Sequence, residues 1–319
     1  MSSLFQNSYY IGNNFNTILY GAELVLYFQT MRVLVRKVTR SRSDKFFMFF
    51  STALLFLITI YVAVQSVFGE EMWIVNADFP GGQEAYLGTF AAVWYQTMGT
   101  TASVILNLLS DGLLIYRCLV VWPDYRVIVI PSFLYVATLA LGIVELWASG
   151  APHDNFFGGL ALDLGLSYYS VSIGLNIIAS SIICGRIIYL GSLLRHTPHG
   201  NSMSLYTGTV PIIVESALPY SLSGIAFLVS YGIGSGISIL FLSIYVMLTC
   251  VAPQLIIMRV VNGEAWTKHS TIELSALALQ TVGTTHNQQQ TDAGAKGDES
   301  QFTSTGKVDP ETVHIQEVV

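Results

Sequence analysis

The stretch "SDGLLIYRCLVVW", residues 110–122, places an aspartate and an arginine inside an otherwise apolar run. It closes a longer apolar block, 92–121, and a block of that length can cross the ~30 Å hydrocarbon core of a bilayer, which takes about 20 helical residues. A charge there needs a reason, because Asp or Arg at the centre of a spanning helix costs about 2.5–3.5 kcal/mol even on insertion scales.

The rest of the chain has the same character. Of its 319 residues 52% are hydrophobic and 11% charged, whereas soluble domains carry roughly 25% charge. That composition excludes an ordinary water-soluble fold. Seven apolar blocks follow one another at 11–34, 46–68, 92–121, 127–148, 163–190, 207–231 and 236–259. They predict an all-α membrane protein, a seven-transmembrane-helix bundle over residues 1–268. The first block is the weakest, since it contains Asn13, Asn14, Asn16 and Glu23. Beyond about 268 the chain turns to Thr, Gln, Gly and acids, so 269–319 reads as a disordered tail that lacks the apolar residues to build a core.

Loop charge alternates along the chain. "RKVTRSRSDK" is basic, 69–91 holds Glu70, Glu71, Asp78 and Glu84 without a base, and Arg117 and Arg126 flank the next turn. With seven spans, all fourteen Lys and Arg fall on one side. The positive-inside rule makes that side the cytoplasm, with the amino terminus outside and the tail inside, most simply at the plasma membrane. A net charge of −6 argues against nucleic acid as a partner. The three cysteines lie within or at the ends of apolar blocks and predict no disulfide framework.

The third block carries its own pattern. Gln96, Thr100, Ser103, Asn107 and Asp111 recur at spacings of four, three, four and four, which draws one polar stripe along a helix. Asp111 should therefore face the bundle. Arg117 sits near the cytoplasmic end, where its stem can snorkel to the headgroups. Three acids, Glu23, Asp111 and Glu215, lie inside the bundle, and Glu23 and Glu215 come to similar depths when counted at about 1.5 Å per residue, with Asn107 and Asn176 as neutral company. They form the candidate ligand site or polar network. Pro219, four residues after Glu215, should bend its helix there. Arg117, Trp122 and Arg126 bracket the turn between spans three and four and are the candidate surface for a cytoplasmic signalling partner or anionic lipid.

"DGLLIYRCLVVW", "VIVIP", "IIVESALPYSL" and "APQLIIMRVVNGEAW" together resemble a large set of seven-span proteins of basidiomycete fungi, over roughly residues 10–268. Leu119, Pro219, Met258 and Glu264 depart from that pattern. The resemblance implies architecture and orientation and brings no substrate.

The remaining chemistry is read by class. No span has the central lysine of a retinal Schiff base, all six histidines lie in loops or tail, and no metal, cofactor or catalytic residue is assigned. The chain is read as no enzyme. The leading expectation is a receptor-like sensor for an unknown small ligand, with a topology like that of G-protein-coupled receptors. A transporter or channel using Glu23, Asp111 and Glu215 is the alternative, and a purely structural membrane protein is a third.

Overall fold

The computed structural model describes residues 2–37, 41–122, 124–149, 159–194 and 203–262. The side chains of 2, 3, 84, 125, 159–162, 190–194 and 203–217 are outside that description. The expected tail at 269–319 lies beyond it as well. Among the described residues there are helices and turns and no strand.

Eight α-helices run α1 Ser2–Arg36, α2 Arg42–Glu70, α3 Gly82–Phe90, α4 Trp94–Val121, α5 Val129–Ser149, α6 Gly159–Leu194, α7 Met203–Gly232 and α8 Ser238–Val261. Six of them, α1, α2, α4, α5, α6 and α8, are long and apolar enough over their described residues to cross a membrane. The fold is that of an integral membrane protein whose apolar helices suit contact with lipid.

The helices close a ring. α1 packs on α2 and α8, α7 on α6 and α8, and α5 on α6, while α4 touches α2, α5, α6 and α8 and so runs through the middle. Two ends can be distinguished: one carries α3, the other the turns that bear Arg36, Lys37, Arg42 and Arg126. At this basic end Ser41 caps α2 in a reciprocal box with Asp44, and Lys37 pairs with the Asp44 carboxylate at 2.8 Å.

The structure corrects the sequence expectation in two places. α1 begins at Ser2, well before residue 11, and 71–90 is a π turn followed by α3, where an acidic loop was expected. Both differences have one cause. Phe5 and Tyr9 at the start of α1 are buried with Phe68, Met72, Tyr86 and Ile239, and Tyr86 meets Phe90 at 4.7 Å between ring centroids. Gln6 and Gln83 also hydrogen-bond across α1 and α3. An aromatic cluster at the helix ends thus orders chain that hydropathy alone leaves as loop.

The polar residues that weaken the first block also find their place. Asn16, Glu23 and Thr30 are buried at intervals of seven, on the stripe that packs against α8, while Ile18 and Phe28 are 67% and 64% exposed on the other side. Polar inside and apolar outside is the arrangement that a bilayer rewards.

Close helix approaches depend on glycine. At Gly99 of α4 an added Cβ would stand 2.9 Å from Val64 Cγ1 of α2, whereas Gly174 of α6 has nothing within 4 Å. Gly99→Leu should therefore lower stability by about 1–3 kcal/mol, the usual cost of overpacking, and Gly174→Leu should not. Thermal unfolding of the two variants in detergent checks the difference.

Candidate functional site

α4 delivers its polar stripe to two different places. Its first part, Gln96, Thr100 and Ser103, lines a cavity of about 150 Å³ toward the α3 end, together with Tyr9, Tyr61, Gln65, Glu145, Tyr169 and apolar residues of α3 and α8. Its second part, Asn107 and Asp111, enters a buried hydrogen-bond network below.

Asn107 is the hub of that network. Its Nδ2 donates to Tyr168 Oη at 2.9 Å and to Ser172 Oγ at 2.7 Å, both on α6. Its Oδ1 accepts from Tyr220 Oη of α7 at 3.4 Å and from Tyr245 Oη of α8 at 3.3 Å. The two tyrosine hydroxyls are 2.8 Å apart, and Ser172 Oγ donates on to Asp111 Oδ2 at 3.1 Å. Asp111 is fully buried, and its Oδ1 has no hydrogen-bond partner. The carboxylate is therefore held on one side only, inside a shell of tyrosines.

Voids flank this network. One of about 10 Å³ lies between it and the large cavity, lined by Ser103, Asn107, Tyr168, Tyr169 and Tyr245. Another of about 20 Å³ lies on the basic side, lined by Ser110, Asn176, Ser180, Tyr220 and Pro253. Each has room for about one water, which needs ≳10–15 Å³ on this measure. The Asn176 Oδ1 and the Ser180 hydroxyl are buried without hydrogen-bond partners on α6, and both residues line the second void.

Of the three acids expected together, Glu23 and Asp111 stand apart. Glu23 is buried on α1, and the Cys250 thiol of α8 is the polar group beside its carboxyl. Cys250 and Tyr245 are five residues apart on α8, hence about 140° apart at about 100° per residue, so Glu23 and Asp111 address different faces of that helix. The Glu215 side chain lies outside the described residues. α7 continues as helix through Pro219, whose side chain is exposed.

The expected cytoplasmic trio separates too. Arg117 does not reach for the headgroups, since its Nη2 donates to the Ile256 carbonyl oxygen of α8 at 3.1 Å. The reason is tertiary: α8 brings its last turns against α4 and offers Arg117 a carbonyl oxygen. Trp122 is a strut, donating from Nε1 to the Ile182 carbonyl of α6 at 3.2 Å, with the Arg186 guanidinium 4.8 Å from its ring centroid. Arg126 alone of the three is exposed.

Glu145 is the residue that sequence reasoning missed. It lies on α5, 9% exposed, with Oε2 unpartnered. A signal was present, because Thr138, Gly142, Glu145 and Ala148 recur at four, three and three and all are buried. No protein-family model, curated protein or solved structure matches the chain.

Asn107→Ala would leave hydroxyls on three helices without their partner. At ~0.6 kcal/mol per interhelical bond in a membrane it should cost about 2 kcal/mol. Asn176→Ala removes no such hub and should cost less than half as much. Unfolding of both variants in mixed micelles gives the comparison.

Proposed function

We propose that the chain is a seven-span receptor-like membrane protein that takes a small ligand in the cavity at the α3 end. In this reading α7 also crosses the membrane, the positive-inside rule sets the basic end in the cytoplasm, and the cavity faces outward. A place among the seven-span proteins of basidiomycete fungi and residence in the plasma membrane belong to the same reading.

One observation carries it: the free space lies toward one end and its floor is formed by Tyr169 and the Asn107 network. A ligand resting on that floor touches α4 and α6 directly. Movement of Tyr168, Tyr220 or Tyr245 would then bear on α6, α7 and α8 together, and α8 meets Arg117 at the basic end. Such a bistable contact between helices is what a signalling change requires. The surface around Arg126 is the docking face for a cytoplasmic partner.

A carrier is the second reading. The water-sized voids on either side of Asn107 favour it, since they extend the polar line of α4 past the floor.

A compound screen on the full chain in lipid nanodiscs separates the readings. Binding should raise the unfolding temperature of wild type and vanish in Ser103→Trp, which fills the cavity, and the hits should not accumulate in vesicles containing the protein. Accumulation dependent on the protein would replace the receptor by the carrier.

A further inference from the structure

The cavity has a composition that selects its ligand by charge. Glu145 presents an unpartnered carboxyl oxygen, is nine-tenths buried, and lines the space. Tyr9, Tyr61 and Tyr169 line the cavity with it. Among the described residues that line it, none is basic.

A buried carboxylate without a counter-charge is costly, and a cation seated beside it would offset that cost. Aromatic rings around it favour the same sign, because their faces are negative. An anion would meet Glu145 with no basic group among the described lining residues to offset it, so it is disfavoured.

The approach is biased as well. Glu70, Glu71 and Asp78 lie at the α3 end, and no Lys or Arg of the described residues does. A rim of one sign raises the local concentration of the opposite sign. Metal ions are poorer candidates, since no group of three or more His, Cys, Asp or Glu comes together among the described residues, and a hard divalent cation wants about six oxygens. An organic monocation needs one carboxylate and an aromatic wall.

We propose that the ligand of this cavity is a small organic cation, an amine or quaternary ammonium bearing a compact apolar body, with Glu145 as its counter-ion. The proposal rests on the reading of the cavity as a ligand site. The ammonium pairs with the Glu145 carboxyl group, the apolar body lies toward Leu242, Val246 and Ile239 of α8, and Gln96, Thr100 and Ser103 offer polar contacts along α4.

The test uses three probes of similar size and opposite character: phenethylamine, neutral 2-phenylethanol and phenylacetate, titrated calorimetrically into the full chain in phosphatidylcholine nanodiscs. Phenethylamine should bind at least ~10-fold more tightly than either other probe, as a desolvated charge contact with an aromatic wall supplies. Glu145→Gln should remove that preference, Glu145→Asp should keep most of it, and Glu23→Gln, a buried acid on another helix, should leave it unchanged. An unliganded melting temperature near wild type for Glu145→Gln shows that the loss is not misfolding, and if that variant fails to fold, the order of the three probes on wild-type protein still decides the cation assignment. Binding of 2-phenylethanol or phenylacetate as tightly as phenethylamine overturns the cation assignment while leaving a ligand site. Binding by none of the three, in wild type and Ser103→Trp alike, overturns the cation assignment and counts against the site reading too.

Discussion

Inside a bilayer a polar side chain has no water to fall back on, and Asn107 meets that constraint by using both ends of its carboxamide. The amide nitrogen serves α6 and the oxygen serves α7 and α8. Because these are directional bonds among buried groups, the four helices can meet here in few ways. The apolar contacts around them, Leu106, Leu113, Ile173 and Met247, are non-directional and would tolerate many. Asn107 therefore sets where α4 stands relative to the helices that form the floor of the cavity. Asp111, one turn on, is secured only through Ser172, so the position of the buried acid depends on the same hub.

How much of this is legible in the sequence depends on what each residue's environment requires. The stripe Gln96 to Asp111 is legible because period and polarity coincide on one helix, and the structure divides it between the cavity and the network. The tyrosines that complete the network are not. Tyr168, Tyr220 and Tyr245 sit on three different helices, and tyrosine is equally at home in an interface belt or a core. Glu145 was open to the same reading as the stripe, but its helix has a short polar face made partly of glycine and alanine, which polarity alone does not mark.

The direction of Arg117 illustrates the limit. Position near the end of a span gives both snorkelling and docking the same prior, and only the arrival of α8 at that place decides between them. The first helix shows the converse: Asn16, Glu23 and Thr30 lower its hydropathy, yet each faces α8 and so strengthens the case for a span once the partner is known. Sequence carries the periodicity of a face reliably. It does not carry the identity of the surface that the face meets.

The receptor reading requires a cavity that opens at the α3 end, outside the cell, and is closed at the level of Asn107. Labelling with a membrane-impermeant thiol reagent, applied outside intact cells to variants with one introduced cysteine in a Cys184→Ala background, measures both features at once. Ser103 lines the cavity above the hub, while Ser110 lines the small void beyond it; the native Cys118 and Cys250 are buried. The account predicts that Ser103→Cys is modified and Ser110→Cys is protected. Equal modification of both would show a path through the floor, and protection of Ser103→Cys outside with reaction only in inverted vesicles would place the cavity on the opposite face, either of which contradicts it.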